Sequence, residues 1–258
     1  MKTRSLFTRS SLRSLTLCGL GSAALALAGP ATRAAVVTFI GTDVGAGPTD
    51  PRPNSNTAAA EFDPASVSPE GQVTFDTFEN EPTGNFTSLD LGYGVTLTGT
   101  DGSGNSQSIL DAPEYSPQPS LAGYNTTVGG ANYLNLLGGT ATFSFSTPIT
   151  AFGAYFTGVQ TAFGTVTLSF NDGTGQTVTV PAEPDDSGGV SFVGFTDAGH
   201  TISSVTVTSG SGGASDYIGL DDVRFTLVPI PEPSTVALLA GAGVLLACAG
   251  SGRRVTRA

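Results

Sequence analysis

The sequence predicts an all-β chain built as a single antiparallel β-sandwich, and three observations carry that expectation. Short runs of alternating apolar and polar residues recur from Gln72 onward, separated by Gly, Asn and Asp. No long segment of helical periodicity interrupts them, and no fixed-period repeat signals a solenoid or a propeller. Hydrophobic residues form 39% of the 258, enough for one core, while Gly 35 and Pro 16 punctuate the chain without reaching the composition of a disordered polymer.

In chain order, residues 1–34 carry Lys2, Arg4, Arg9 and Arg13, then the apolar run Leu15 to Ala28, then small residues at Ala31, Ala34 and Ala35. A basic start, an apolar stretch of about 7 to 15 residues and a small-residue cleavage site describe a secretory signal helix, the substrate of signal peptidase. Residues 35–71 form an N-terminal extension. Within it Val36 to Ile40 suits a short strand, and the alanine-rich stretch from Asn56 to about Ser66 suits a short helix that turns Phe62 inward.

Residues 72–228 hold the sandwich. Val166, Leu168 and Phe170 alternate with threonines and serine, the turn Asn171-Asp172-Gly173-Thr174-Gly175 follows, and Val178 and Val180 resume the alternation. That arrangement predicts a hairpin. Further strands are expected at Val73 to Phe78, Val95 to Thr98, Tyr133 to Leu136, Ala141 to Ser146 and Ala151 to Phe156. Val190 to Phe195, Ile202 to Thr208 and Ile218 to Leu227 complete about ten.

Residues 229–258 close the chain with Pro231-Glu232-Pro233, the apolar run Val236 to Gly250 and a basic end containing Arg253, Arg254 and Arg257. Fifteen helical residues rise about 22 Å, short of the roughly 30 Å hydrocarbon core, so this short transmembrane helix is a weak anchor. Its arginines stay cytoplasmic and leave the acidic portion outside. The order of Pro-Glu-Pro, short apolar helix and basic end resembles the PEP-CTERM sorting signal of Gram-negative bacteria that secrete exopolysaccharide. The resemblance implies recognition of Pro231, Glu232 and Pro233 by exosortase and removal of the tail. Two prolines fix an extended segment there, suited to a protease groove. It also implies transient inner-membrane insertion, then release to the cell surface or exterior.

The segments Asn132 to Val159, Val166 to Val180 and Asp216 to Phe225 together resemble the extracellular domain common in PEP-CTERM proteins, a jelly-roll sandwich similar in shape to carbohydrate- and galactose-binding modules. Such modules hold a structural calcium ion between an acidic residue of the first sandwich strand and an Asp pair in the last. The matching positions here are Asp76 or Glu79 with Asp221 and Asp222, and carboxylates suit that ion.

Charge and cysteine usage bound the function. Between Ala35 and Ile230 lie 20 of the 21 acids but only Arg52 and Arg224 of the ten bases, a net charge of -18 for that portion. No basic footprint exists to displace counterions from a phosphate backbone, which excludes a nucleic-acid binder. Cys18 leaves with the signal and Cys248 with the tail, so no disulfide, thiol nucleophile or thiolate zinc site is expected in the mature domain.

Alternation places Asp221 on the side of Val223 and Phe225, inward, where an unpaired carboxylate is costly. Two readings meet that cost: calcium, as the resemblance implies, or loop amides capped by Asp221 while Asp222 pairs with Arg224. Asp101-Gly102-Ser103-Gly104-Asn105 reads as a Gly-rich turn, and Ser209 to Ser215 as a flexible connection. His200 reads as an exposed turn residue, and no GxSxG elbow is present to give it a serine. For sugar stacking, Tyr115 and Tyr124 lie in a Pro- and Gly-rich loop, whereas Tyr133 and Tyr155 belong to strands and to the core.

The leading expectation is a non-enzymatic, exported surface or extracellular-matrix protein associated with exopolysaccharide or biofilm. The alternatives are a calcium-dependent carbohydrate-binding module and a secreted hydrolase.

Overall fold

The computed structural model describes residues 36–67, 73–114, 118–210 and 216–227; the segments expected to be a signal helix and a sorting signal lie outside the described residues. No helix among the described residues is long and apolar enough to cross a membrane. The first half of the chain contributes β1 (Val37–Val44), α1 (Pro53–Ser66), β2 (Val73–Asp76), β3 (Gly84–Phe86), β4 (Ser88–Asp90), β5 (Val95–Thr100) and β6 (Gln107–Leu110). The second half contributes β7 (Tyr133–Leu137), β8 (Thr140–Thr157), β9 (Val166–Phe170), β10 (Thr177–Val180), β11 (Gly189–Thr196), β12 (Ile202–Thr208) and β13 (Tyr217–Leu227).

All 13 strands join one antiparallel hydrogen-bonded network, which folds over itself at β8. The two runs expected at Ala141 to Ser146 and Ala151 to Phe156 are one strand of 18 residues. Its first part pairs with β5 and β12, and its last part with β11 and β13. Pro148, which lacks an amide for the ladder, sits between the two parts, where the pairing partners change. One leaf therefore runs β10-β9-β12-β8-β5-β4 and the other β1-β11-β8-β13-β7-β6-β3, with β2 also beside β13.

The leaves meet through aromatic side chains. Phe143 lies 5.4 Å from Phe152, Phe145 lies 5.4 Å from Phe225, and Phe170 stacks on Phe195 at 4.3 Å. Around them Leu97, Leu134, Leu168, Val193 and Val205 are fully buried. Burial of such side chains, each contributing about 1.5–3 kcal/mol, is the main driving force for the sandwich.

The hairpin expected around Asn171 to Gly175 forms as β9 and β10, in the register Thr177 to Ser169 through Val180 to Val166. The short helix forms as well, beginning three residues earlier at Pro53, a residue suited to the first helical turn. It packs on the outer face of the second leaf, where Phe62 and Ala59 meet Phe39, Ala151, Tyr155 and Phe192. A Cβ on Gly194 would lie 2.7 Å from the Phe62 ring, so the missing side chain is what lets the helix come so close. The residue before Pro53, Arg52, gives α1 no side-chain cap. Asp43 of β1 supplies one from another element: its oxygens accept from the amides of Asn54 at 3.0 Å and Ser55 at 2.8 Å. Burial pushes the Asp43 carboxyl up, but the bonds from Ser55 and Asn54 outweigh it and hold the carboxyl below its ordinary range.

Other buried acids lack such relief. Burial pushes Glu183 up to about 8, eased only by the Ser191 hydroxyl at 3.5 Å, and it pushes Asp216 up to about 7. Glu183 Oε2 and Asp216 Oδ1 accept no hydrogen bond from the protein. Between the unfolded value near 4 and these raised values, the folded state binds more protons than the unfolded one. Stability from these groups is therefore complete below about pH 4 and is lost as pH rises toward 7 and 8. Asp43, Asp101 and Asp172 act in the opposite sense, losing stability as pH falls below the ordinary carboxylate range. The melting temperature should thus peak near pH 4–5 and decline toward pH 8. Calorimetry across that range checks this, and Glu183→Gln should flatten the decline.

Candidate functional site

The most constructed surface feature is the segment from Tyr124 to Asn132. Tyr124 is fully buried: its amide donates to Thr157 Oγ1 at 2.9 Å, its hydroxyl donates to the Ala46 carbonyl, and burial pushes its phenol up. Next along the chain, the amides of Thr126 and Thr127 donate to Asp221 Oδ2 at 2.6 and 3.1 Å, and the Thr127 hydroxyl donates to Asp222 Oδ1 at 2.7 Å. At the far end, Glu79 accepts from Asn125 Nδ2 at 2.6 Å and from the amides of Ala131 and Asn132 at 3.0 and 3.1 Å. Arg52 closes the third side, donating from Nη2 to the Thr126 carbonyl at 2.8 Å. The clamped segment borders a groove of about 480 Å³, whose other wall includes Pro48, Asp50 and Asp111. Val128, at the tip of the segment, is 96% exposed.

Asp221 reaches this segment because β13 is not a regular strand. The register with β8 slips between Asp221 and Arg224, and Asp222 adopts φ +47°, a left-handed conformation that Asp tolerates better than most residues. The slip inverts the alternation. Ile218 and Leu220 face the sandwich interior before it, Val223 and Phe225 after it. Asp221 instead lies opposite Tyr155, a residue of the outer cluster under α1. It is fully buried, as expected, but on the outer face of the leaf, not on the side of Val223 and Phe225. Gly219, two residues earlier, shares that face, and a Cβ there would lie 2.7 Å from the Tyr124 amide. Burial first and the neighbouring Asp222 charge second push Asp221 up to about 7, against the amides that draw it down.

The four acids read as a calcium set divide accordingly. Asp76 pairs directly with Val223 on β13, a residue of the inner face, and its Oδ1 accepts from the Phe78 amide at 2.8 Å. Burial pushes it up. Asp221 and Asp222 hold Thr126 and Thr127 from the outer side, and Glu79 holds the other end of the segment. Among the described residues these four do not gather into one coordination group.

Arg224 does not pair with Asp222. Its Nη1 donates to both Asp63 oxygens at 2.9 Å, and its guanidinium lies over the rings of Phe75, Tyr155 and Phe192. Tyr124 is no exposed stacking platform, because the outer cluster covers its ring; Tyr115 lies outside the described residues. Tyr133 and Tyr155 are in the core as read. Asp101 closes its turn by accepting from the amides of Ser103 and Asn105. His200 is not freely exposed: Nδ1 lies 2.8 Å from Asp197 Oδ1, and 17% of its side chain is open to solvent. Pro231, Glu232, Pro233, Arg253, Arg254 and Arg257 lie outside the described residues.

Sequence reasoning missed Arg52, Thr126 and Thr127 as partners. Thr126 and Asp221 are 95 positions apart, and no local pattern links them.

No family model matches the chain, and no curated protein matches it. Among solved structures it is similar to the K2 cleaved adhesin domain of Lys-gingipain, with 17% identity over 60% of this chain and 98% of that one, at a TM-score of 0.38. It is also similar to the isomalto-dextranase of Arthrobacter globiformis T6 complexed with panose, with 14% identity over 62% of this chain and 33% of that one, at a TM-score of 0.27. Neither likeness gives a residue of this chain a role.

If Asp221 organises the groove wall, Asp221→Ala should lower unfolding free energy by roughly 1–3 kcal/mol, the cost of orphaning buried amides. Hydrogen exchange should show the Thr126 and Thr127 amides losing protection while β9 and β10 keep theirs.

Proposed function

We propose that this chain is an exported, exosortase-sorted surface or extracellular-matrix protein without enzymatic activity, whose β-sandwich contacts exopolysaccharide through the groove beside Thr127 and Val128. The observation that carries this reading is the way the groove is made. Its rim segment is tied by carboxylates, Asp221 through Oδ2 to the Thr126 amide and Glu79 to the amides of Ala131 and Asn132, so these acids shape the rim of the groove. What lines the opening is a mixture of backbone groups, Asn125, Thr49, Asp50 and Asp111. That is hydrogen-bonding chemistry matched to the hydroxyls of uncharged sugars.

Support for export comes from the two ends of the sequence, where a basic start and the apolar run Leu15 to Ala28 precede the domain and Pro231-Glu232-Pro233, an apolar run and Arg253-Arg254 follow it. The charge of -18 between them disfavours anionic polymers and favours neutral glycans, since like-charged surfaces repel within a screening length of about 8 Å.

Two experiments test the reading. Replacing Pro231 and Pro233 with alanine should leave the full-length chain in the membrane fraction of the native host; an unchanged mature size and location would overturn the sorting assignment. On a glycan array the protein should retain a neutral polysaccharide saturably. Val128→Glu, which adds charge at an exposed tip without disturbing the core, should weaken that binding at least tenfold. Retention unaffected by Val128→Glu would remove the groove from the account.

A further inference from the structure

At the other end of the chemistry lies a second group of residues, none of which lines the groove. The turn Asn171-Asp172-Gly173-Thr174-Gly175 joins β9 to β10, and the turn Asp197-Ala198-Gly199-His200 joins β11 to β12. Because β12 lies beside β9, the two turns come together. The Asn171 amide donates to the Ser204 carbonyl at 3.0 Å, and the Ser203 amide donates to the Asn171 carbonyl at 3.3 Å, which fixes one turn against the other. Asp197 is anchored independently, its amide donating to the Thr150 carbonyl of β8 at 2.8 Å.

Three side chains converge there. One ligating atom each from Asp172, Asp197 and His200 lies within 4.8 Å of the others. Asp197 is fully buried, and while its Oδ1 meets His200 Nδ1, its Oδ2 has no hydrogen-bond partner. An unpartnered carboxylate oxygen in the interior costs roughly 1–3 kcal/mol or more, and here it belongs to a side chain aimed between a second carboxylate and an imidazole. Asp172 accepts from the Thr174 amide and hydroxyl, at 2.7 and 2.5 Å. Two acids meet one imidazole here with no arginine beside them, since Arg52 donates to the Thr126 carbonyl and Arg224 pairs with Asp63.

We propose that Asp172, Asp197 and His200 form a binding site for a divalent transition-metal ion, with zinc the best fit. An imidazole nitrogen with two carboxylates is a ligand set for zinc or a similar first-row ion, with water completing the shell, whereas calcium and magnesium take oxygen ligands in larger number. The ion supplies the missing charge to Asp197 and ties the β9–β10 turn to the β11–β12 turn. Three protein ligands with one partly open side leave a position for an external donor. The site thereby offers a cation-dependent contact on an otherwise acidic domain.

The test uses the full-length chain in detergent, stripped with a chelator and held at pH 7.5. Zinc at about 100 times its dissociation constant should raise the melting temperature by roughly 5–10 °C. Titration calorimetry should give one site per chain lost in His200→Gln and in Asp172→Asn, two changes that leave buried Asp197 in place. Cobalt at the same site should give a visible absorption band that zinc displaces. The proposal is overturned if zinc, manganese and cobalt all leave heat and melting temperature unchanged, or if both variants respond as the parent does. It is equally overturned if calcium, and not zinc, produces the response that depends on His200.

Discussion

The structure depends on carboxylates that must be satisfied without cations. The described residues contain 19 acids but only Arg52 and Arg224 as permanent bases, and Arg224 is taken by Asp63. Ion pairing therefore cannot stabilise the acids that enter the interior, and backbone amides replace it. Asp43 takes the first amides of α1, Asp221 those of Thr126 and Thr127, and the half-buried Glu79 those of Ala131 and Asn132. Each bond joins a strand or turn to a segment distant in sequence. A charged acceptor makes such a bond worth about 1.5–3 kcal/mol, against roughly 1 for a neutral pair. The described residues contain no cysteine, and these amide-bound acids tie segments together where no disulfide can.

The same constraint divides the acids by what they can do. Where amides reach both oxygens, as around Asp43, the carboxylate is a structural tie and has little left to offer a ligand. Around Glu183, Asp216, Asp197 and Asp221 an oxygen stays unpartnered and the group resists ionising, although Asp221 also ties Thr126 and Thr127 through its other oxygen. Glu183 and Asp216 meet this by holding a proton. Asp197 has an alternative, because an imidazole and a second carboxylate stand beside it.

How much of this was legible in the sequence follows from the range of the interactions involved. The β9–β10 hairpin could be read because its alternation and its turn residues are local. Helix α1 could be read because alanines and Phe62 report their own environment. By contrast β3 and β4 are three residues each and largely exposed, so no apolar alternation marks them. The runs Ala141 to Ser146 and Ala151 to Phe156 read as two strands because the alternation lapses between them, yet Pro148 falls at the corner between the leaves, where the strand continues without needing its amide. The face of Asp221 could not be read at all. It turns on a register slip at Asp222, and nothing in the run Ile218 to Phe225 distinguishes a bulged strand from a regular one. Tyr124 sits in a loop by sequence and in the core by structure, since α1 and β11 arrive from elsewhere to cover it.

These two classes of acid place any cation dependence of the domain. The calcium set expected from the resemblance is Asp76 or Glu79 with Asp221 and Asp222; Asp76 faces the sandwich interior while Asp221 faces outward, with Val223 and Tyr155 marking the two sides, and Glu79 holds the far end of the segment that Asp221 ties. The groove wall, moreover, is already closed by amides, so removing divalent ions would leave its hydrogen bonds intact. The turn pair at Asp172 and Asp197 is different, because there the protein supplies acceptors without enough donors. A surface carrying -18 meets an anionic polymer with repulsion unless a cation stands between them. Neutral sugars at the groove need no such intermediary, and an anionic ligand would need the turns.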